Sequence, residues 1–405
     1  MDLSPRAHWL LPEGIEEVLP TEAARLERLR RRLLDLFGSW GYELVIPPFI
    51  DYLESLLTGT GHDLDLQTFK LIDQTSGRLL GVRADMTPQV ARIDAHNLKR
   101  EVPTRLCYMG TVLHTQGDRL EASRSPLQVG AELYGHAGVA SDVEVIRLML
   151  EMLAGAGVLD VHLDVGHVAV FRALARQAGL SAEAEATLFD TLQRKALPEL
   201  AGWLDMRGVA APLRDMLLAL PELNGHPDAV LGEARRCLLP AGEPVIRALD
   251  ALEEITLGLR RIFPALPLNL DLAELRGYRY QTGVVFAAFI PGYGKEIARG
   301  GRYDDIGQVF GRARPATGFS ADLKILSRLA APEPIPPREA ILAPLSADPD
   351  LHEKVRELRA AGRIVIEALP EQANDPRELD CAWVLQGGTT GWKIAPVNRI
   401  SNSDT

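Results

Sequence analysis

Cysteine is scarce: Cys107, Cys237 and Cys381 lie far apart in a chain of 405 residues and form no CxxC pair. That argues against a disulfide framework or a thiolate metal site and leaves buried free thiols in a reducing compartment as the expectation. Nine histidines show no HExxH or paired-ligand spacing, so no metal is expected. Positive charge is also short. Lys and Arg number 44 against 55 Asp and Glu, a net charge of −11, which speaks against a broad nucleic-acid-binding face because phosphate neutralisation needs clustered cations. No apolar run approaches the ~20 residues of a membrane span; Val284–Ile290 is strand-sized. The apolar piece Trp9–Leu11 is too short for a signal peptide, and Glu13, Glu16 and Glu17 follow at once. GxSxG and Cys/His nucleophile signatures are missing. Residues 387–393, GGTTGWK, fail as a phosphate loop: Trp392 stands before the lysine and no Ser or Thr follows. The expectation is a cytoplasmic protein with no membrane segment and no cofactor.

What is present is an ordinary globular composition, 46% hydrophobic and 24% charged, in a chain long enough for two or three domains. Thr21 is placed to cap a helix running to about Trp40, with Leu26, Leu29, Leu33 and Leu36/Phe37 on one stripe. Tyr42–Ile46, Phe69–Asp73 and Leu79–Arg83 read as strands. Thr87 and Ser141 read as caps of later helices. Two further strands, Arg105–Thr115 and Pro126–Tyr134, flank a polar loop. After the strand Val161–Val165, residues 167–263 carry helical periodicity with Pro and Gly breaks. Strand character returns at Leu268–Leu272, Thr282–Ile290 and Lys295–Ala298, so a helical insertion interrupts one core spanning 1–328. Residues 329–338 hold four prolines and read as a linker. Residues 339–397 read as a small α/β domain, with strands Ala340–Pro344, Ile364–Ala368 and Cys381–Gln386, and 398–405 as a disordered tail. The fold class is α+β.

Four stretches carry groups that a plain scaffold avoids. Arg83, Asp85 and Thr87 share one parity in RADMT. Gln128, Gly130, Glu132 and Tyr134 share one face of a strand, although a core strand would carry Val or Ile there. RGYRYQTG places Arg276, Tyr278, Arg279, Tyr280 and Gln281 beside a strand. RGGRYDD combines two glycines with Arg302, Tyr303 and Asp304. Singly, each has a bland account: a solvated sheet edge, a capping turn, a glycine bulge, ordinary sheet aromatics. Together they suit a zwitterionic amino acid with a polar side chain. Asp85 and Glu132 would meet an ammonium group, Gln128 and the tyrosines a polar ring, and the glycines would allow close approach.

The order of these motifs over roughly residues 10–330 resembles the histidyl-tRNA synthetase family of class II aminoacyl-tRNA synthetases. The resemblance implies an antiparallel sheet core flanked by helices, and candidate histidine contacts at Asp85, Thr87, Gln128, Glu132, Arg276, Tyr280 and Gln281. It also marks losses. The positions where the synthetase holds ATP, an arginine with a glutamate two residues on and a later arginine, look like His114, Gln116 and Ile325. Isoleucine offers no cation to a phosphate, and histidine is a poor substitute for a bidentate guanidinium. WLLPEGIEEVLP and GYRYQTGVVF resemble the paralogous family of ATP phosphoribosyltransferase regulatory subunits. That resemblance implies a non-catalytic partner of a short-form catalytic subunit in a hetero-octamer built on homodimers. It further implies L-histidine as feedback effector in histidine biosynthesis, with no tRNA bound.

Overall fold

Among the described residues, nine strands form one sheet. Its spatial order is Glu43–Leu44, Thr104–Thr111, Leu127–Tyr134, Ala316–Asp322, Ala298–Arg302, Val284–Phe289, His162–His167, Leu268–Asp271 and Asn224–Gly225. Glu43–Leu44 pairs parallel with Thr104–Thr111, Leu268–Asp271 pairs parallel with His162–His167, and the other ladders are antiparallel. The structure is a computed structural model and describes residues 10–57, 62–117, 123–274, 280–331, 339–388 and 391–397. The chain divides into two compact units, Met1–Ala331 and Pro332–Thr405. The fold is α+β.

Of the expected stripe, Leu26, Leu29, Leu33 and Phe37 are buried and Leu36 is half-buried. The helix itself is Pro20–Ser39, with Leu19 at the N-cap, so Thr21 lies inside it. Proline at the first position supplies a preset φ and needs no side-chain cap. Thr87 is likewise the first residue of the helix Thr87–Arg92 and not its cap, which is Met86. Ser141 sits in the first turn of Val139–Gly155, where its hydroxyl donates to Gly138 O at 2.8 Å.

Two strand expectations are corrected. The segment expected at 295–298 is displaced: the strand is Ala298–Arg302, and its ladders to both neighbours run without a bulge. Glycine is needed there for closeness, because a Cβ on Gly300 would collide with Gly318 O and the Phe286 ring. The strand Ala316–Asp322 was not anticipated at all, since ATGFSAD lacks the alternation that marks a half-buried strand.

Six α-helices lie between Val168 and Ile262. They share the core of the sheet: Leu249, Leu252 and Ile255 of Glu243–Ile262 cluster with Met149 and Met152 of Val139–Gly155 and with Leu163 and Val165 of the sheet. A small sheet of Ile50–Tyr52, Phe69–Ile72 and Leu79–Val82 includes the expected hairpin.

Among its described residues the second unit has four strands in the order Val365–Glu367, Ala340–Ala343, Cys381–Gly388 and Gly391–Pro396, with one helix, Pro349–Ala360. Gly391–Pro396 is an unanticipated strand that begins with the last three residues of the abortive loop motif, Gly391, Trp392 and Lys393. The expected tail at 398–405 lies outside the described residues. Among the described residues, no helix is long and apolar enough to cross a membrane.

Candidate functional site

A cavity of about 1180 Å³ opens over the sheet, bordered by Asp85, Thr87, His114, Gln128, Glu132, Tyr280, Gln281, Tyr303 and Gly318, and on another side by the helix Ala182–Gln193. Its floor follows from strand parity. Gln128, Gly130 and Glu132 project from Leu127–Tyr134 on one face. Gly130 is empty of side chain, and the Tyr108 hydroxyl from the neighbouring strand occupies the space its Cβ would take. Tyr108 thereby reaches Glu132 Oε1, donating at 2.9 Å. Thr87 Oγ1 lies 3.3 Å from the same oxygen, and the Tyr303 hydroxyl donates to Oε2.

Gln128 joins this group to the segment before the helix. Its Oε1 accepts from Met86 N at 2.9 Å and its Nε2 donates to Asp85 Oδ1 at 2.8 Å. Asp85 Oδ1 also accepts from Thr87 N at 2.9 Å. The amide therefore fixes Asp85, and the RADMT segment with it, against the strand that carries Glu132. Residues 45 positions apart in sequence become one polar wall.

Glu132 is 1% exposed, and burial pushes its carboxyl up to about 8. Hydrogen bonds from Tyr303, Tyr108 and Thr87 pull the other way, and the negative charge of Asp85 adds to the rise. Burial and the Glu132 charge hold the hydroxyls of Tyr108 and Tyr303 well above the ordinary phenol range.

The structure brings together Asp85, Thr87, Gln128, Glu132, Tyr280 and Gln281 from the residues expected by sequence. Tyr280 is exposed at the rim, whereas Gln281 is buried, and its Oε1 has no hydrogen-bond partner among the described residues. Arg276, Tyr278 and Arg279 lie outside the described residues. Arg83 is not part of the wall: its guanidinium donates to Thr111 O at 2.9 Å and Pro47 O at 2.7 Å, tying two loops together. Arg302 is likewise turned away, paired with Asp142 at 2.9 Å and bonded to Ser141 Oγ at 2.8 Å. Tyr303, singled out with RGGRYDD, joins the wall through its bond to Glu132, whereas Tyr108 and Gly318 are contributors that sequence reasoning did not assign. Tyr108 shares its strand face with Gly110, and that pairing of tyrosine and glycine was the available signal.

His114, Gln116 and Ile325 all border the cavity. His114 Nε2 donates to Ala84 O at 3.0 Å, Gln116 is exposed, and Ile325 is buried in the apolar core. Nearby cations face protein groups. Arg124 donates to His114 O and Glu13 O, both at 3.1 Å, and lies over the Phe69 ring. Lys324 Nζ is 3.4 Å from Ser125 Oγ.

Comparison with known proteins identifies the relatives of the chain. The histidyl-tRNA synthetase family matches residues 14–326, and the ATP phosphoribosyltransferase subunit HisZ C-terminal domain matches residues 338–395. The chain is 61% identical over 391 residues to an ATP phosphoribosyltransferase regulatory subunit of Methylococcus capsulatus, covering 96% of each protein. It is 62% identical over 377 residues to that of Thioalkalivibrio sulfidiphilus, covering 93% of this chain and 95% of the relative. Among solved structures, an ATP phosphoribosyltransferase regulatory subunit/histidyl-tRNA synthetase from Bacillus halodurans superposes with a TM-score of 0.80 at 27% identity, covering 92% of this chain and 95% of that one. A histidyl-tRNA synthetase from Nostoc shares the fold, with a TM-score of 0.75 at 18% identity, covering 94% of this chain and 92% of that one.

Proposed function

Because the chain belongs to the family of ATP phosphoribosyltransferase regulatory subunits, a branch of the histidyl-tRNA synthetase fold with a role in histidine biosynthesis, we propose that its cavity senses L-histidine and catalyses nothing itself. The catalytic subunit it regulates is, on this reading, the short form, and the assembly is a hetero-octamer built on homodimers. The protein is cytoplasmic and binds no tRNA.

One observation carries the proposal. The wall of Asp85, Gln128 and Glu132 is internally hydrogen-bonded, which supports amino-acid binding, while the cavity positions His114, Gln116 and Ile325 carry no guanidinium. An adenylate-forming site needs preorganised cations where phosphate charge develops. A wall without those cations can bind an amino acid but has no means to activate it. In this arrangement Asp85 meets the α-ammonium, with Thr87 beside it, and Gln128 holds Asp85 in place. Arg276 and Tyr280 complete the set of proposed contacts, and Gln281 is the further amide facing the ligand. Binding at this site then biases an assembly whose transferase centre lies on the partner, and the coupling is reciprocal.

Titration calorimetry with L-histidine tests the site. Asp85→Ala is expected to weaken binding at least tenfold, through loss of the counter-charge. Pyrophosphate exchange with histidine and ATP is expected to be undetectable. Unchanged affinity in the variant, or robust exchange in the wild type, contradicts the proposal.

A further inference from the structure

Residues 84–86 belong to no strand and no helix. They bridge the strand Leu79–Val82 and the helix Thr87–Arg92, so no ladder fixes them, yet they bring Asp85 to the cavity. Side chains from elsewhere in the chain hold them. Gln128, on the sheet, grips Asp85 Oδ1 and Met86 N. His114, four residues after Gly110 on the chain leaving the strand Thr104–Thr111, reaches Ala84 O through Nε2 at 3.0 Å. A carbonyl only accepts, so the ring nitrogen carries the hydrogen, and both the neutral Nε2–H tautomer and the imidazolium can make this bond.

The imidazole is aimed by its own backbone. His114 N donates to Arg124 O at 2.9 Å, and His114 O accepts from Arg124 Nε at 3.1 Å. The residues on either side are fastened too: Leu113 N donates to Arg83 O and Thr115 N to Gln67 O, each at 3.0 Å. With its main chain held at three successive residues, the side chain has only two torsions left to lose on making its bond. The acceptor is sheltered, since Ala84 is 6% exposed, and removing the donor leaves a carbonyl with little access to water. His114 also stands where the synthetase resemblance expects an arginine for the nucleotide. Its Nε2 serves the segment that carries Asp85 instead.

We propose that His114 is a positioning residue of the amino-acid site: it latches the carbonyl of Ala84 and thereby sets Asp85 for the ligand's ammonium group. Gln128 and His114 then act as two clamps on one irregular segment, one on the residue that meets the ligand and one on the residue before it. A position that a nucleotide-binding relative would give to phosphate is in this chain committed to amino-acid binding. The ligand half of this inference rests on the histidine reading of the cavity; the latch itself stands on the contact with Ala84.

Two variants of the full chain test it. His114→Phe keeps a ring of similar size and loses the donor, whereas His114→Gln puts an amide N–H at nearly the same reach. Hydrogen exchange on the ligand-free protein reads the latch directly. In His114→Phe the amides of Met86 and Thr87 are expected to exchange about tenfold faster while those of Leu127–Tyr134 keep their rates, and His114→Gln is expected to return them to within about twofold of wild type. Calorimetry with L-histidine reads its consequence. Affinity is expected to fall about fivefold in His114→Phe, the scale of one sheltered hydrogen bond, and to recover in His114→Gln. Placed in an Asp85→Ala background, His114→Phe is expected to cost nothing further, because the residue it positions is gone. Unchanged exchange at Met86 and Thr87, or no rescue by glutamine, overturns the latch. A full fivefold loss that persists without Asp85 overturns the claim that His114 acts through it. No binding of L-histidine by the wild type overturns the histidine reading and the ligand half of this inference, while the exchange rates still decide the latch.

Discussion

Gly318 lies directly across the ladder from Glu132, and a Cβ on it would collide with Glu132 Oε2. The carboxyl that organises the cavity therefore fits only because the central strand has no side chain at that register.

Gly318→Ala is expected to displace Glu132 from its hydroxyl partners. Overpacking of this kind costs about 1–3 kcal/mol, and histidine affinity should fall at least tenfold. Denaturant titration and calorimetry check both effects. A variant of wild-type stability and affinity would show that Glu132 does not need this position.

A buried ion pair fixes the segment beneath the same sheet. Arg314 Nη1 meets both oxygens of Asp94 at 2.7 and 3.0 Å, and its Nη2 donates to Val102 O at 2.7 Å. Asp94 belongs to the π-helical turn Ile93–Leu98, so the pair pins an irregular helix to the sheet. Asp94→Ala strands a buried guanidinium and is expected to cost about 3–5 kcal/mol. Asp94→Leu combined with Arg314→Met is expected to recover most of that loss. Thermal denaturation of the two variants decides; equal losses would contradict the argument.

Stability should respond to pH through two buried groups acting in opposite senses. The Glu132 carboxyl is raised from 4.5 to about 8, so its contribution is full below about 4.5 and is lost as pH rises through 8. Burial, with the charge of Arg302, lowers His167 from 6.5 to about 4, so its contribution is present above about 6.5 and is lost as pH falls toward 4. Glu132→Gln should abolish the decline toward alkaline pH. The stability difference between variant and wild type is expected to grow by on the order of 4 kcal/mol from pH 5 to pH 8. A pH-independent difference would mean that Glu132 titrates normally.

Much of the wall was legible in the chain because strand parity is local. Gln128, Gly130 and Glu132 alternate with apolar neighbours, and that alone aligns an amide and a carboxyl on one face. The partners of Glu132 were harder to read. Tyr303 stands out in RGGRYDD, but its bond to Glu132 joins residues far apart in the chain, and the arginine before it serves the Asp142 ion pair. Gly318 sits in ATGFSAD, where small residues hide a central strand from any hydrophobic period. Helix starts were misplaced at Thr21 and Thr87 for one physical reason: a neighbouring proline defines the first turn without a side-chain cap. Arg83 shares its parity with Asp85 and Thr87, yet its guanidinium donates to two carbonyls, a long-range contact that no spacing rule reveals.

The central claim is that histidine bound in this cavity regulates a transferase centre on another chain. Mixing the protein with a short-form catalytic subunit and following phosphoribosyl transfer to ATP, with and without L-histidine, tests it most directly. The account predicts higher turnover, a larger particle mass and inhibition by histidine, with inhibition weakened at least tenfold by Asp85→Ala while activation survives. Turnover and mass that do not change on mixing, or inhibition that is untouched by the substitution, would contradict it.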